Sequence, residues 1–204
     1  MSSDPRRSSP AAARNRQPIL EVLQRVLPPR GRALEIASGT GEHAAHFAAG
    51  LPGWTWQPTE LEDEALASIE AWRAFAGAGN LLPPRRLDVT AASWPDVGEL
   101  DAIFCANMIH IAPWPACVAL MRGAGRHLAP RGLLLLYGPY LTDDAPNAPG
   151  NLAFDADLRA RNGTWGVRSL VEVVAEAARA GLALRERVPM PANNLTLVFG
   201  RDAA

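Results

Sequence analysis

Ala33-Leu34-Glu35-Ile36-Ala37-Ser38-Gly39-Thr40-Gly41 carries an apolar run through an acidic residue and straight into a glycine-bearing turn. The residues that follow, His43 to Ala49, read as the start of a helix. Strand, tight turn and helix N-terminus in that order make a nucleotide-binding corner. Glycine lets the backbone approach a ligand closely, and the first turn of a helix presents N–H groups that lack internal partners. Gly-x-Gly alone is weak, because any tight strand-to-helix turn can use it. The carboxylates that come later at regular distances give it weight.

Outward from this corner, helix and strand signals alternate. Pro18 to Leu27 carries Ile19, Leu20, Leu23, Val26 and Leu27 at helical spacing, with Pro28-Pro29 as its stop. Arg32 to Ala37 is the first predicted strand and Gly41 to Ala49 the helix after it. Trp54 to Glu60 predicts a second strand, Glu62 to Ala76 a helix, and Leu82 to Val89 a third strand. Leu100 to Ala106 is a continuous apolar run, the pattern of a strand covered on both faces. Pro115 to Leu128 reads as a helix, and Gly132 to Tyr137, with four successive leucines, as the most buried strand. A polar-aromatic segment spans Asn151 to Gly166. Ser169 is placed to cap a helix that runs to Arg179. Leu182 to Val188 and Asn194 to Gly200, separated by Pro189-Met190-Pro191-Ala192-Asn193, predict a hairpin. Five βα units closed by that hairpin predict an α/β fold: a Rossmann-like, doubly wound, seven-stranded sheet, mostly parallel with an antiparallel C-terminal hairpin.

The chain has 204 residues, 48% of them hydrophobic and 20% charged, which fits one globular core. Residues 1–13, rich in Ser, Pro, Arg and Ala, read as a disordered lead-in to a single domain over 14–204. A net charge of -1 gives no bulk case for nucleic acid or for an anionic membrane surface. No run approaches the roughly 20 apolar residues that cross a bilayer, so the default compartment is cytoplasmic. Cys105 and Cys117 have no CxxC spacing and read as buried free thiols. His43 and His46 share a helix face, but without a third ligand no metal site is expected.

Open α/β sheets bind ligands beyond the carboxyl ends of their strands, at the switch point beside the first strand. The residues predicted there are polar. Strand one ends in Glu35 to Gly41, strand two at Glu60 with Leu61 beside it, strand three at Asp88-Val89, and strand four at Asn107-Met108-Ile109. Glu60 stands nineteen residues beyond Gly41, the separation at which a carboxylate reaches the two ribose hydroxyls. Asp88 is placed to accept from an adenine amino group, with the Val89 N–H adjoining. Each residue also has a plainer use. Glu60 and Asp88 serve equally well as caps of the next helix or turn, Asn107 as a turn closer, and Met108 and Ile109 as packing. Four such ends in order favour one adenosine.

Here the chain resembles the class I S-adenosylmethionine-dependent methyltransferases. Their first motif, an acidic residue two positions before a Gly-x-Gly-x-Gly turn, is matched by Glu35 to Gly41. Ala37 stands where that family has its first glycine, a change that an ordinary backbone conformation tolerates. Their second and third acidic positions map onto Glu60 and Asp88, and His127 to Gly132 looks like the turn into their fifth strand. A narrower likeness links Arg14-Asn15-Arg16-Gln17-Pro18-Ile19, Phe154-Asp155, Leu158 to Asn162 and Trp165-Gly166 to the methyltransferase-like protein 26 family. The resemblance implies S-adenosyl-L-methionine as cofactor. Gly39 and Gly41 would lie along its methionine part, with Ser38 and Thr40 in the same turn. Glu35 would fix its amino group, Glu60 its ribose and Asp88 its adenine, and Arg14 and Asn15 would fold over it.

The substrate side then falls to the ends of strands four and five and the late segment: His110, Trp114, Tyr140, Asn151, Phe154, Arg159, Arg161, Asn162 and Trp165. His110 is the candidate general base for a hydroxyl nucleophile, and equally a helix-start or packing histidine. Arg159, Arg161 and Asn162 would clamp an anion, or form the solvated face of a helix. Asn107-Met108-Ile109-His110 stands where many amide and adenine N-methyltransferases carry Asn-Pro-Pro-Tyr, so a small molecule is the expected acceptor. Two rivals stay open. A nicotinamide-dependent oxidoreductase would use Gly39-x-Gly41-x-x-Ala44, although no Tyr-x-x-x-Lys pair exists in a chain without lysine. A non-catalytic adenosyl-binding module would regulate a partner protein.

Overall fold

A computed structural model describes residues 4–201. The elements run α1 (Pro10–Val26), β1 (Gly31–Ile36), α2 (Glu42–Gly50), β2 (Trp54–Glu60), α3 (Asp63–Ala76), β3 (Arg85–Arg86), β4 (Leu100–Ala106), α4 (Trp114–His127), β5 (Leu128–Pro139), α5 (Pro149–Arg161), α6 (Leu170–Arg179), β6 (Leu182–Met190) and β7 (Asn194–Arg201). Short 3₁₀ turns occupy Met108–His110 and Pro191–Asn193. The seven strands form one sheet in the order β3-β2-β1-β4-β5-β7-β6, with β7 alone running against the rest. This is the Rossmann-like, doubly wound α/β sheet with an antiparallel C-terminal hairpin that the alternation predicts.

Helices cover both faces of the sheet. Leu34, Ile36, Ile103, Cys105, Leu134 and Leu136 point into a core closed by α4 and α6. Ala33, Phe104, Leu135 and Tyr137 point into a second core closed by α1 and α2 and filled by Phe47, Trp54 and Trp56. The four successive leucines Leu133 to Leu136 of β5 thus divide between two apolar layers, which is why their run lacks alternation. Both cysteines are free and buried.

β5 begins at Leu128 rather than Gly132, and three further departures from expectation have a local reason. α1 starts at Pro10 rather than Pro18, because Ser9 caps it by accepting from the Ala12 N–H and Pro10 supplies a preset first turn. Residues 10–13 are therefore helical rather than part of a disordered lead-in. Arg7 and Ser9 are also tied down, their N–H groups donating to Ser68 and Glu42. Met1 to Ser3 lie outside the described residues. The third strand shrinks to Arg85–Arg86, since Pro83 and Pro84 carry no N–H to donate to a ladder. The polar-aromatic segment forms α5, an excursion between β5 and α6 at the carboxyl end of the sheet.

Candidate functional site

The chain moves from β1 through β2 to β3 on one side and returns to β4 on the other, so the β1–β4 boundary is the switch point. The turn after β1 is pinned from both sides. Ser38 N–H donates to Thr59 O at 2.9 Å, and the Thr59 hydroxyl donates to Glu35 O at 2.7 Å. The Glu60 carboxylate accepts from Gly39 N–H at 2.9 Å and from Leu61 N–H at 2.8 Å. One hydrogen bond thus joins the glycine turn to the acid at the end of β2, nineteen residues beyond Gly41.

The glycines differ in purpose. A Cβ on Gly41, at φ 92°, would sit 2.7 Å from Ile69 Cα, so its missing side chain lets α3 pack against the turn. A Cβ on Gly39, at φ 59°, would meet nothing within 4 Å, so this residue faces open space where a ligand can lie against the backbone. Ala37 has φ 53°. The ordinary conformation under which alanine would be a harmless replacement is therefore absent, and this residue holds a left-handed geometry that costs roughly 1–2 kcal/mol. Thr40 faces α2 and α3: its hydroxyl donates to Glu42 at 3.2 Å and its carbonyl accepts from the Ser68 hydroxyl at 2.7 Å.

Glu35 is buried at 1% exposure, and its carboxyl accepts from the Trp56 indole N–H at 2.6 Å. Burial pushes its pKa up to about 8, with the nearby Glu60 charge adding to the rise against the indole bond. Trp56 is a site residue that the sequence reading missed. The signal was present: alternate residues of β2 face inward, and a buried indole N–H needs an acceptor. Buried Asn15 lies 2.6 Å from His43 Nε2, and Tyr137 near the end of β5 lies beside Asn15 and the exposed Arg14. His43 stacks on Phe47, and burial lowers its pKa to about 4. Tyr137 and His43 were not singled out for the site; in sequence nothing separates them from core residues.

Asp88 is exposed at the end of the third-strand segment and accepts from Thr90 N–H at 2.8 Å and the Thr90 hydroxyl at 2.7 Å. Those bonds lower its pKa. It closes a turn, with Val89 half-buried beside it. Asn107 takes the left-handed conformation at φ 61°, and its N–H donates to Tyr137 O at 2.8 Å. Met108 and Ile109 pack into the α4–α6 core.

On the substrate side the structure breaks up the expected group. His110 is fully buried, with Nδ1 accepting from Arg168 N–H at 3.3 Å and Nε2 lacking a partner among the described residues. Desolvation and the Arg168 charge depress its pKa to about 3. In this state it is no solvent-accessible base. Tyr140 is buried against it, ring centroids 5.2 Å apart, its hydroxyl also without a partner among the described residues. Asn151 is buried and donates to Asn193 O in the hairpin turn at 3.0 Å. Arg159 pairs with Asp155 at 2.8 Å, Arg161 lies 3.7 Å from Asp157 and over Trp165, and Asn162 accepts from Thr164. Arg159, Arg161 and Asn162 are thus engaged within their own segment rather than joined in a clamp. Phe154 is 38% exposed, and Trp114 lies under the Arg168 guanidinium. Arg168, which the sequence reading passed over, fastens this region by donating to the carbonyls of Ile109, Ala112 and Thr164.

Two surface cavities of about 330 and 350 Å³ lie at the opposite end of the sheet, around Arg126, Pro130 and Arg201. They involve none of the residues above. Among the described residues there is no cluster of His, Cys, Asp or Glu that would hold a metal, and no helix is long and apolar enough to cross a membrane.

Sheet order and switch-point acids together define a chain with the fold of S-adenosylmethionine-dependent methyltransferases. The mitomycin 7-O-methyltransferase MmcR superposes with a TM-score of 0.79 at 17% identity, over 94% of this chain and 55% of that one. An O-methyltransferase family 2 protein from Planctomyces limnophilus, in complex with apigenin, gives 0.78 at 20% identity, over 94% and 60%. CalO1, a methyltransferase of calicheamicin biosynthesis in its SAH-bound form, gives 0.74 at 17%, over 94% and 54%. The chain spans little more than half the length of these proteins. Residues 6–201 match the family described as Protein of unknown function (DUF938), and the chain belongs to that family.

Proposed function

We propose that this protein is an S-adenosylmethionine-dependent methyltransferase that acts on a small molecule. The observation that carries the proposal is the hydrogen bond from Gly39 N–H to Glu60, which sets a ribose-binding carboxylate against an open glycine turn at the switch point. The donor set fits the cofactor. Glu35 is a buried carboxyl with no cation within 4 Å among the described residues, and it suits a ligand that brings its own positive charge. Gly39 leaves room for the methionine part, Glu60 would exchange its backbone partners for ribose hydroxyls, and Asp88-Val89 would border the adenine. Arg14 and Asn15 would close over the amino-acid end, with Ser38, Thr40 and Leu61 shaping the walls.

The bound cofactor would supply an electrophilic methyl group, and the chain's task is to orient an acceptor in line with it and exclude water. Asn107 would border the cofactor's other side with Met108 and Ile109 packed behind it, and Phe154, Trp114 and Trp165 would offer accessible apolar surface to the acceptor. His110 enters as a base only in a form in which Gly166 and Arg168 have lifted from it. The likeness to the methyltransferase-like protein 26 family, and a cytoplasmic setting, belong to the same proposal. The antiparallel β7 between β5 and β6 argues against the nicotinamide-dependent rival, whose usual sheet is parallel in the order 3-2-1-4-5-6.

Thermal-shift titration with S-adenosylmethionine, S-adenosylhomocysteine and NAD tests the proposal. Stabilisation by the first two is expected, with a rise in Tm that grows with the logarithm of ligand concentration. Stabilisation by NAD alone would overturn it. Tight adenosyl binding with no methyl transfer to any of a broad metabolite panel would instead favour the regulatory module.

A further inference from the structure

Burying a carboxylate without a cation is unfavourable, because the charged form loses its hydration and gains nothing equal in return. Glu35 stands in that position. Its side-chain donors are both neutral, the Trp56 indole N–H at 2.6 Å and the Ser38 hydroxyl. The ionisable and polar groups on the elements packed around it do not neutralise it. β2 offers the Glu60 carboxylate, which is like-charged, while α2 offers Glu42 and a neutral, buried His43. β4 offers the buried Cys105 thiol, β5 the Tyr137 phenol, and α1 buried Asn15 with two cations, Arg14 whose charge acts on Tyr137 and Arg16 whose charge acts on His43. The Ser38 hydroxyl bonded to this carboxyl immediately precedes Gly39, whose open face would admit a ligand.

We infer that Glu35 rests as the uncharged acid in the free protein and ionises when a ligand's ammonium group docks at the first turn. Binding of an adenosyl amino acid then expels one proton to solvent and leaves an ammonium–carboxylate pair beneath the turn. This rests on the proposed function for the site but adds a coupling that the function does not require. The elevated pKa of Glu35, about 8, agrees with the geometry and sets the window. Below pH 8 the ligand must draw the proton off before it can pair. Affinity therefore rises about tenfold per pH unit from pH 6 toward pH 8 and levels off above it. Trp56 acts as a positioning residue: its indole favours the ionised form, so Trp56→Phe moves the levelling point to higher pH.

Isothermal titration with S-adenosylhomocysteine, repeated at pH 7 in buffers of different ionisation enthalpy, counts the protons. Wild-type protein should release close to one. 5′-Methylthioadenosine, which keeps the adenosyl sulfide and lacks the amino acid, should release none. Glu35→Gln should bind S-adenosylhomocysteine more weakly, with no proton release and a flat pH profile. Binding without proton release, or equal release from Glu35→Gln, overturns the inference and leaves the proposed function standing. If neither adenosyl ligand binds, the proposed function fails instead. The resting state is then still testable by infrared difference spectroscopy between wild type and Glu35→Gln at pH 6. A protonated carboxyl C=O band assigned to Glu35 supports the inference, and a carboxylate band at that pH overturns it.

Discussion

Replacing Gly41 with alanine should damage the fold, whereas the same change at Gly39 should damage binding. At Gly41 the new methyl would lie 2.7 Å from Ile69 Cα, a backbone atom that cannot swing aside. Overpacking of that kind costs about 1–3 kcal/mol. The φ of 92° adds about 1–2 kcal/mol for a residue with a Cβ. Lower entropy of the unfolded chain returns about 0.4–1 kcal/mol. The net loss is about 2–4 kcal/mol, or a Tm lower by roughly 5–15 °C for a chain of this size. At Gly39 the space is open, so only the φ cost of about 1–2 kcal/mol applies, less the same offset. Its Tm should fall by no more than about 6 °C. A methyl there nevertheless occupies the face against which the ligand would lie, and affinity for S-adenosylhomocysteine should drop at least tenfold. Thermal unfolding followed by circular dichroism, with calorimetric titration at a temperature where both variants are folded, separates the two effects. Equal Tm values for the two variants, or wild-type affinity in Gly39→Ala, would refute the division of labour between these glycines.

Ala37→Gly should raise stability by up to about 1 kcal/mol in urea titration, since relief of the left-handed φ outweighs the added chain entropy. Arg168→Ala should lower Tm by roughly 5–10 °C, because it strips a charged donor from three carbonyls that hold the segment over His110. Two opposed pH dependences are expected in urea midpoints. His43, with its pKa lowered to about 4, binds fewer protons folded than unfolded, so its contribution is present above pH 6.5 and lost as pH falls toward 4. Glu35, with its pKa raised to about 8, binds more protons folded, so its contribution is present below pH 4.5 and lost as pH rises to 8. Glu35→Gln should therefore remove an alkaline-side loss of order 4 kcal/mol, and an unchanged slope between pH 5 and 8 would contradict the burial argument.

The backbone plan was legible because hydrophobic pattern and turn chemistry agree in it. β2 and β4 begin and end where Trp54–Glu60 and Leu100–Ala106 were predicted, and Ser169 caps α6 by accepting from Glu172 N–H. Errors fell where proline behaved against its usual position. Pro18 reads as a helix start yet lies inside α1, while Pro83-Pro84 end a strand that the flanking leucines suggest. The acids at the strand ends were legible from spacing alone. The Trp56–Glu35 bond was not, since it pairs side chains of neighbouring strands that lie twenty-one residues apart in sequence. Nor was the burial of His110, which depends on a segment more than fifty residues later folding back over it. Ala37 shows the limit most plainly: its residue type predicts an ordinary conformation, and the turn imposes another.

The antiparallel β7 has a consequence in time as well as in space. Among the described residues β6 pairs with β7 alone, and the outer edge of β5 is closed by Leu195 to Gly200. While the sixty or so residues between β5 and Arg201 are being synthesised, at roughly 5–20 residues per second, Leu133 to Leu136 present an unpaired strand edge for several seconds. Such an edge is a template for pairing with another chain. A substitution that weakens β7 would therefore register first as a lower yield of folded protein, while the switch-point residues of the molecules that do fold stay intact.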